Sequence, residues 1–283
     1  MISRHNQIVH RFITPSLRYI AMSIVAITVI YPLVWVFLSS IKTDRELIFD
    51  PWGLPSTFTL EPYVSVIVEH GLLFNIFNSI WIVVVSTIVV VLLSSMVSYG
   101  LIRMKWKGSK LVLGFILLGI MVPSHATLIP VYLNLQVFRD LVDDRMILLI
   151  PYIAGGLAQS ILILSGYFHT LSREIEEAAV MDGSTLIGVF FKIILPISVP
   201  AIATVSIFSF IFTWNELLYA LVFLESSTDH TIPVAILKFI GFYSTDWSKV
   251  LASIALTMIP SIAFYMIFQN RIVQGISDGA VKS

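Results

Sequence analysis

Long apolar stretches, separated by short polar intervals, set the pattern of this chain. Six can be read, at roughly 17–41, 73–101, 111–135, 146–169, 197–224 and 250–270. Each is long enough for a membrane-crossing helix, which needs about 20 mostly apolar residues. A transmembrane barrel would instead show segments of about ten residues with strict alternation. In lipid the backbone must satisfy its own hydrogen bonds, and a helix does this locally. The pattern therefore predicts an all-α membrane protein of six transmembrane helices, forming one transmembrane domain over 1–283.

The polar intervals orient the bundle. An even number of spans puts both termini on one face, and that face collects eleven of the seventeen lysines and arginines. Positive residues favour the cytoplasm, so both termini are expected inside. The loop "RMKWKGSK", Arg103 to Lys110, is the strongest anchor and reads as a topology signal. The basic N-terminus leads into the first apolar run with no small-residue cleavage site, so that run is read as a retained span. The outer loops are then 42–72, 136–145 and 225–249, none large enough for a catalytic domain. "KTDRELIFDPWGLPSTFTLEPY" is rich in turn formers and aromatics and reads as an ordered extracytoplasmic loop. It is suited equally to meeting a partner and to packing on helix ends.

Composition agrees. The chain is 57% hydrophobic and 12% charged, against about 45–50% and about 25% in soluble domains. Cysteine is absent, which excludes disulfides, thiol catalysis and cysteine-ligated zinc. The net charge of zero gives no basic footprint for nucleic acid.

One interval stands apart. Between the fourth and fifth stretches lies "TLSREIEEAAVMDGSTLIGVFFKIILPISVP". Ser172 suits an N-cap, and Glu174, Glu176 and Glu177 fall where the helix dipole favours anions. Ala178 and Ala179 are strong helix formers, and Gly183 suits a C-terminal cap. A short helix over 173–182 follows, with a second started by Thr185 and running to Ile194. Pro196 and Pro200 then interrupt the chain before the fifth span. The first helix is too short and acidic to cross the membrane. Two readings are open: a compact knob for a basic partner, or a solvated connection between spans.

The spacing in this loop resembles a known family. Glu177-Ala178-Ala179, Gly183, Ile193 and Leu195-Pro196, with Asp182 before the glycine, reproduce the EAA loop (here 171–196) of ATP-binding cassette (ABC) importer permeases. "YPLVWVFLSSIKTDREL", "WNELLYAL" and the C-terminal "GISDGAVKS" resemble the carbohydrate branch, in particular the shorter permease type represented by the G subunit of the maltose importer. Ser283 departs from relatives that often end in glycine.

The resemblance implies a non-catalytic permease of the bacterial or archaeal cytoplasmic (inner) membrane, forming half of a carbohydrate pathway. It implies a second homologous permease, two cytoplasmic ATP-binding subunits and an extracytoplasmic sugar-binding protein. ATP and magnesium would belong to the ATP-binding subunits, with no cofactor or metal on this chain. A P-loop is absent, since "GFILLGI" and "GSTLIGV" lack its lysine. By resemblance Glu177, Ala178, Ala179, Asp182 and Gly183 carry the coupling contact. The tail residues Gly275, Ser277, Asp278 and Gly279 would reach the ATP-binding subunits.

For the pathway, Glu216 is the one acid inside a predicted span, and such residues usually face a cavity or a partner. Asn215 beside it suits sugar hydroxyls, while Trp214 and Tyr219 offer flat faces. The alternative is that Asn215 and Glu216 hold helices together. In the maltose importer, the resemblance implies, the partner permease makes the main sugar contacts. "MVPSHATLIP" breaks the third stretch with two prolines, and its His125 is either a titrating group or a helix contact. Apart from Arg18 at the very start of the first, no predicted span carries Lys or Arg, which favours an oligosaccharide or other neutral sugar over glycerol phosphate. An ion-coupled secondary transporter would show repeats and several intramembrane charges. An enzyme would cluster its histidines or acids, and neither pattern is present.

Overall fold

The computed structural model describes residues 14–104 and 106–280, with side chains described over 17–104 and 106–269. The described residues are almost entirely helical. They contain no strand beyond one isolated antiparallel bridge, Ile240 to Thr245. Among the described residues, four helices are long and apolar enough to cross a membrane, or up to six if each of two sharply bent pairs crosses as one span. The chain divides into two compact units: the described residues up to His70 with Lys238–Met258, and Gly71–Leu237 with those from Ile259 onward.

In the first unit, helix α1 (Thr14–Ser39) runs through Pro32 without a break and leads into the loop expected to be ordered. The loop is built around Lys42, which is fully buried. Its Nζ donates to Asp50 O at 3.0 Å and Gly53 O at 2.5 Å. Thr43 caps the short helix α2 (Asp44–Phe49) by accepting from Glu46 N, and Glu46 Oε1 accepts from Ser56 N at 2.5 Å. Trp35 Nε1 donates to Pro51 O at 2.9 Å, and its ring lies 5.2 Å from that of Trp52. Helix α3 (Glu61–Val64) follows, extended by a wider turn at Ser65–Glu69. A hydrogen bond to a charged group contributes about 1.5–3 kcal/mol. Lys42→Met is therefore expected to loosen the loop, seen as faster proteolytic cleavage within residues 43–58 of the membrane-embedded protein.

The second unit is organised by α4 (Leu72–Ile102). Gly71, at φ +66°, lets the chain turn sharply into it. Its buried face repeats at helical spacing through Asn75, Ser79, Ile82, Ser86, Val90, Ser94 and Ser98. Small residues let helix backbones approach closely where lipid removes the ordinary hydrophobic drive. Ser86 Oγ is satisfied by Ile82 O at 2.7 Å, whereas Ser98 Oγ donates across the interface to Ile161 O at 3.2 Å.

The third apolar stretch divides into α5 (Ser109–Leu118), extended to Met121, and a second arm starting at Ser124 that contains α6 (Leu128–Leu135). The arms meet at 88°. Of the two prolines expected to break it, Pro123 does so, with Val122 held extended at ψ 117° ahead of it. Pro130 is the third residue of α6, where its missing N–H falls among donors a helix start leaves free anyway.

Helix α7 (Asp144–Thr170) packs along α4 and contains Pro151. After it come α8 (Glu174–Met181) and α9 (Leu186–Ile197), the latter widened at Phe190–Ile194. The fifth stretch is not the continuous 197–224 span expected. Helix α9 meets α10 (Val199–Asn215) at 77°, beside Pro196 and Pro200, and α10 ends before α11 (Leu218–Phe223). The short α12 (Ile232–Ile236) precedes α13 (Trp247–Ala280), which is longer than the expected 250–270 and passes through Pro260.

Candidate functional site

The segment 171–196 folds as two helices around a tight turn. Helix α8 is one residue shorter at each end than expected. Arg173 takes the cap position, and Ser172 Oγ, one residue earlier, accepts from Glu174 N at 3.2 Å. At the other end Gly183 N donates to Val180 O and Ser184 N to Ala179 O, each at 2.9 Å. This paired closure needs a left-handed residue, and Gly183 supplies it at φ +86°. Thr185 then caps α9, its Oγ1 accepting from Gly188 N at 3.1 Å. That helix runs past the expected Ile194 to Ile197.

The motif residues divide between two faces. Ala179 is buried at 8% exposure with Tyr99, Phe168, Val189, Phe190 and Ile194, and Ile193 and Leu195 pack against the same cluster. Glu177, Ala178, Asp182 and Gly183 are exposed. Around them Val180, Met181, Leu186 and Ile187 are exposed too, Met181 at 86%. The loop thus presents an apolar knob edged by carboxylates.

The residue that ties this loop to the bundle stands in the sequence only as a topology charge. Arg103 is buried, and its Nε donates to Glu176 Oε1 at 2.5 Å. One terminal nitrogen donates to Phe168 O at 3.1 Å and Leu171 O at 3.0 Å, the other to Ser172 O at 3.3 Å. Its neighbours Lys107 and Lys110 are exposed.

The expected pathway residues do not form one group. Trp214 is a core residue: its ring stacks on Phe210 at 5.4 Å, and it packs with Val83 and Ile232. Asn215 is exposed and donates back to Ile211 O of its own helix at 2.8 Å. Glu216 is buried and does not continue the helix. Its carboxylate accepts from the backbone N–H of Leu218 at 2.9 Å and of Tyr219 at 3.0 Å, starting α11, and from Tyr152 Oη at 2.7 Å. An anion at a helix start is favoured by the free N–H groups there. This geometry matches the reading in which Glu216 holds helices together. His125 Nε2 lies 3.9 Å from Glu216 Oε1, with its side chain 62% exposed.

Of the four, Tyr219 lines a cavity of about 630 Å³. The bend at Pro123, α6, α7 and Phe212 line it, with Ser124, Thr127, Asn134, Tyr152 and Gln159 as polar lining. Tyr219 Oη donates to Ser124 O at 2.8 Å. None of the described residues lining the cavity is charged. The wall is a set of hydroxyls and amides interleaved with apolar surface, which suits an uncharged polar solute. Ser124, Asn134 and Gln159 carry no sequence signal that separates them from other polar residues in helices. They come together only through the bend at Pro123.

The segments flanking the bundle are joined by charge. Arg139 pairs with Asp144 at 3.1 Å and with Glu225, and it donates to Phe223 O at 3.0 Å. The Glu225 hydrogen bond raises the Arg139 pKa above its ordinary value. Arg145 pairs with Asp143 at 2.8 Å and donates to Asn78 Oδ1 at 3.1 Å. Hydrogen bonding from Arg145 holds the Asp143 carboxyl below its ordinary range.

Gly275, Ser277, Asp278 and Gly279 lie on the last turns of α13, where side chains fall outside the described residues. Among the described residues no group of His, Cys, Asp or Glu is placed to hold a metal.

These features define a helical membrane protein with bent apolar helices and one small helix exposed on a fixed turn. Residues 90–278 match the family described as binding-protein-dependent transport system inner membrane component. The chain belongs to that family. It is 37% identical to the trehalose transport system permease protein SugB of Mycobacterium tuberculosis, over 89% of this chain and 92% of that one. It is 31% identical to the trehalose/maltose transport system permease protein MalG of Thermococcus litoralis, over 92% and 94%. Among solved structures, a chain of a bacterial ABC transporter involved in import of the acidic polysaccharide alginate superposes with TM-score 0.80. It covers 96% of this chain and 99% of that one at 23% identity, a likeness of fold.

Proposed function

We propose that this chain is one of two transmembrane subunits of an ATP-driven, binding-protein-dependent carbohydrate importer. It crosses the bacterial or archaeal cytoplasmic membrane six times, with each bent pair crossing once and both termini inside. A homologous permease completes the pathway, two cytoplasmic ATP-binding subunits supply the energy, and an extracytoplasmic binding protein delivers the sugar. Catalysis, ATP and magnesium belong to the ATP-binding subunits.

The observation that carries this reading is the knob at 174–187. It joins exposed Glu177, Ala178 and Asp182 to exposed Met181, Leu186 and Ile187 on a hydrogen-bonded turn. A transmitting element must hold a position that its partner biases between two global states, and a helix fixed at both ends can do so. The tail at Gly275, Ser277, Asp278 and Gly279 is assigned a second contact with the ATP-binding subunits.

The relatives named for trehalose and maltose support a neutral sugar, and so does the uncharged lining of the cavity. A phosphate or sulfonate cargo would call for a cation there. Trp214 and Asn215 are not assigned to sugar contact; Tyr219 is, through the cavity wall.

Glu177→Arg tests the docking surface. In proteoliposomes holding the assembled complex, ATP-dependent sugar uptake is expected to fall by about a hundredfold or more, the effect of a reversed charge in a fitted interface. Uptake at the wild-type rate would overturn the assignment. Uptake driven by an ion gradient without ATP would replace the importer reading with a secondary transporter.

A further inference from the structure

We propose that Arg103 is the positioning residue of the coupling helix, locking α8 to the ends of α4 and α7 so that the three move as one body. The proposal rests on the coupling reading above. Three roles meet in this residue. Its backbone closes α4, where Arg103 N donates to Tyr99 O at 2.9 Å. Its guanidinium takes carbonyl oxygens at the end of α7, Phe168 and Leu171, and that of Ser172 beyond it. A helix end leaves its last carbonyls without partners, and a cation there both bonds them and opposes the dipole. Its remaining edge meets Glu176 of α8, 73 residues away in sequence.

Burial decides that this is more than a surface pair. The Arg103 side chain is 3% exposed and that of Glu176 16%. An exposed ion pair contributes little, whereas removing one partner of a buried pair strands the other charge. The planar guanidinium reaches four acceptors in different directions, which the point charge of lysine cannot reproduce. Tyr99 and Phe190, with ring centroids 5.2 Å apart, close the apolar side of the joint. A force applied to the exposed face of α8 therefore reaches two long helices through one side chain.

Two measurements test the lock. The first is amide hydrogen exchange over Glu174–Ala178 in the full chain in lipid nanodiscs, which reads local opening. There Arg103→Met and Glu176→Gln are each expected to speed exchange by about tenfold or more, with Lys107→Met unchanged. Arg103→Lys is expected to recover only part of the protection. The second measurement is sugar imported per ATP hydrolysed in the assembled complex. Here Arg103→Met is expected to lower the ratio by about tenfold while hydrolysis continues, as a loosened coupling element should. Wild-type exchange and a wild-type ratio in Arg103→Met would overturn the proposal. Should Arg103→Met fail to accumulate, Glu176→Gln decides, since it keeps the carbonyl bonds and removes only the charge pair; wild-type exchange in that variant overturns the lock. Failure of the importer reading shows itself differently, as a wild-type complex without ATP-dependent uptake, and the exchange measurement then still decides the lock.

Discussion

Gly183→Pro is expected to abolish ATP-dependent uptake, while Gly183→Ala keeps most of it. Proline fixes φ near −65°, and Gly183 sits at φ +86°. Proline also removes the N–H that Gly183 donates to Val180 O. The turn cannot close, so α8 and α9 lose their mutual placement and the exposed knob comes apart. Alanine keeps the N–H, and nothing lies within 4 Å of where its Cβ would stand. It bears only the strain of a left-handed residue, about 1–2 kcal/mol. Initial uptake rates of the two purified complexes, normalised to co-purified ATP-binding subunit, check the difference. Proline at or near the wild-type rate would mean that the shape of this turn does not matter for transport.

The second large effect is expected at Glu216, and it is an effect on stability. Glu216→Leu leaves Tyr152 Oη and the N–H groups of Leu218 and Tyr219 without their carboxylate in a buried place. Each unsatisfied buried group costs about 1–3 kcal/mol, so the loss should exceed that of a typical core truncation. Glu216→Gln keeps one acceptor oxygen and turns an amide donor toward backbone donors, so an intermediate loss is expected. Thermal unfolding in detergent ranks wild type above Gln and Gln above Leu. If Leu unfolds with wild type, the carboxylate is not what joins α7 to the start of α11. A sugar-contact role would instead reduce transport in Glu216→Gln without changing its unfolding.

Much of the architecture was legible because lipid imposes simple demands. A segment that must bond its own backbone and face hydrocarbon leaves a long apolar signature, and α1, α4 and α7 start and stop near the expected residues, whereas α13 runs on past its apolar stretch. The bend at Pro123 was also legible, since proline and the residue before it are locally restricted. Pro32, Pro151 and Pro260 show the limit of that rule, each lying inside a continuous helix. The break at Glu216 was hidden because its cause lies downstream, in N–H groups that could as well have continued the helix. Within the candidate site, caps and turn were readable from neighbours in sequence. The inward turn of Ala179 was not, because one alanine differs from the next only by which face of α8 meets Val189 and Phe190. Arg103 was missed for a like reason: its partners come from a helix end and a loop far along the chain.

That distance has a consequence for how the protein is made. The chain around Arg103 is made before Phe168, Leu171 and Glu176, so the guanidinium's folded-state partners arrive only later. The pose of the small acidic helix is complete only after α4 and α7 have found each other in the bilayer. On the proposed coupling role, a half-inserted chain would have nothing finished to offer an ATP-binding subunit, and the completed knob would be a built-in certificate that the bundle behind it has formed.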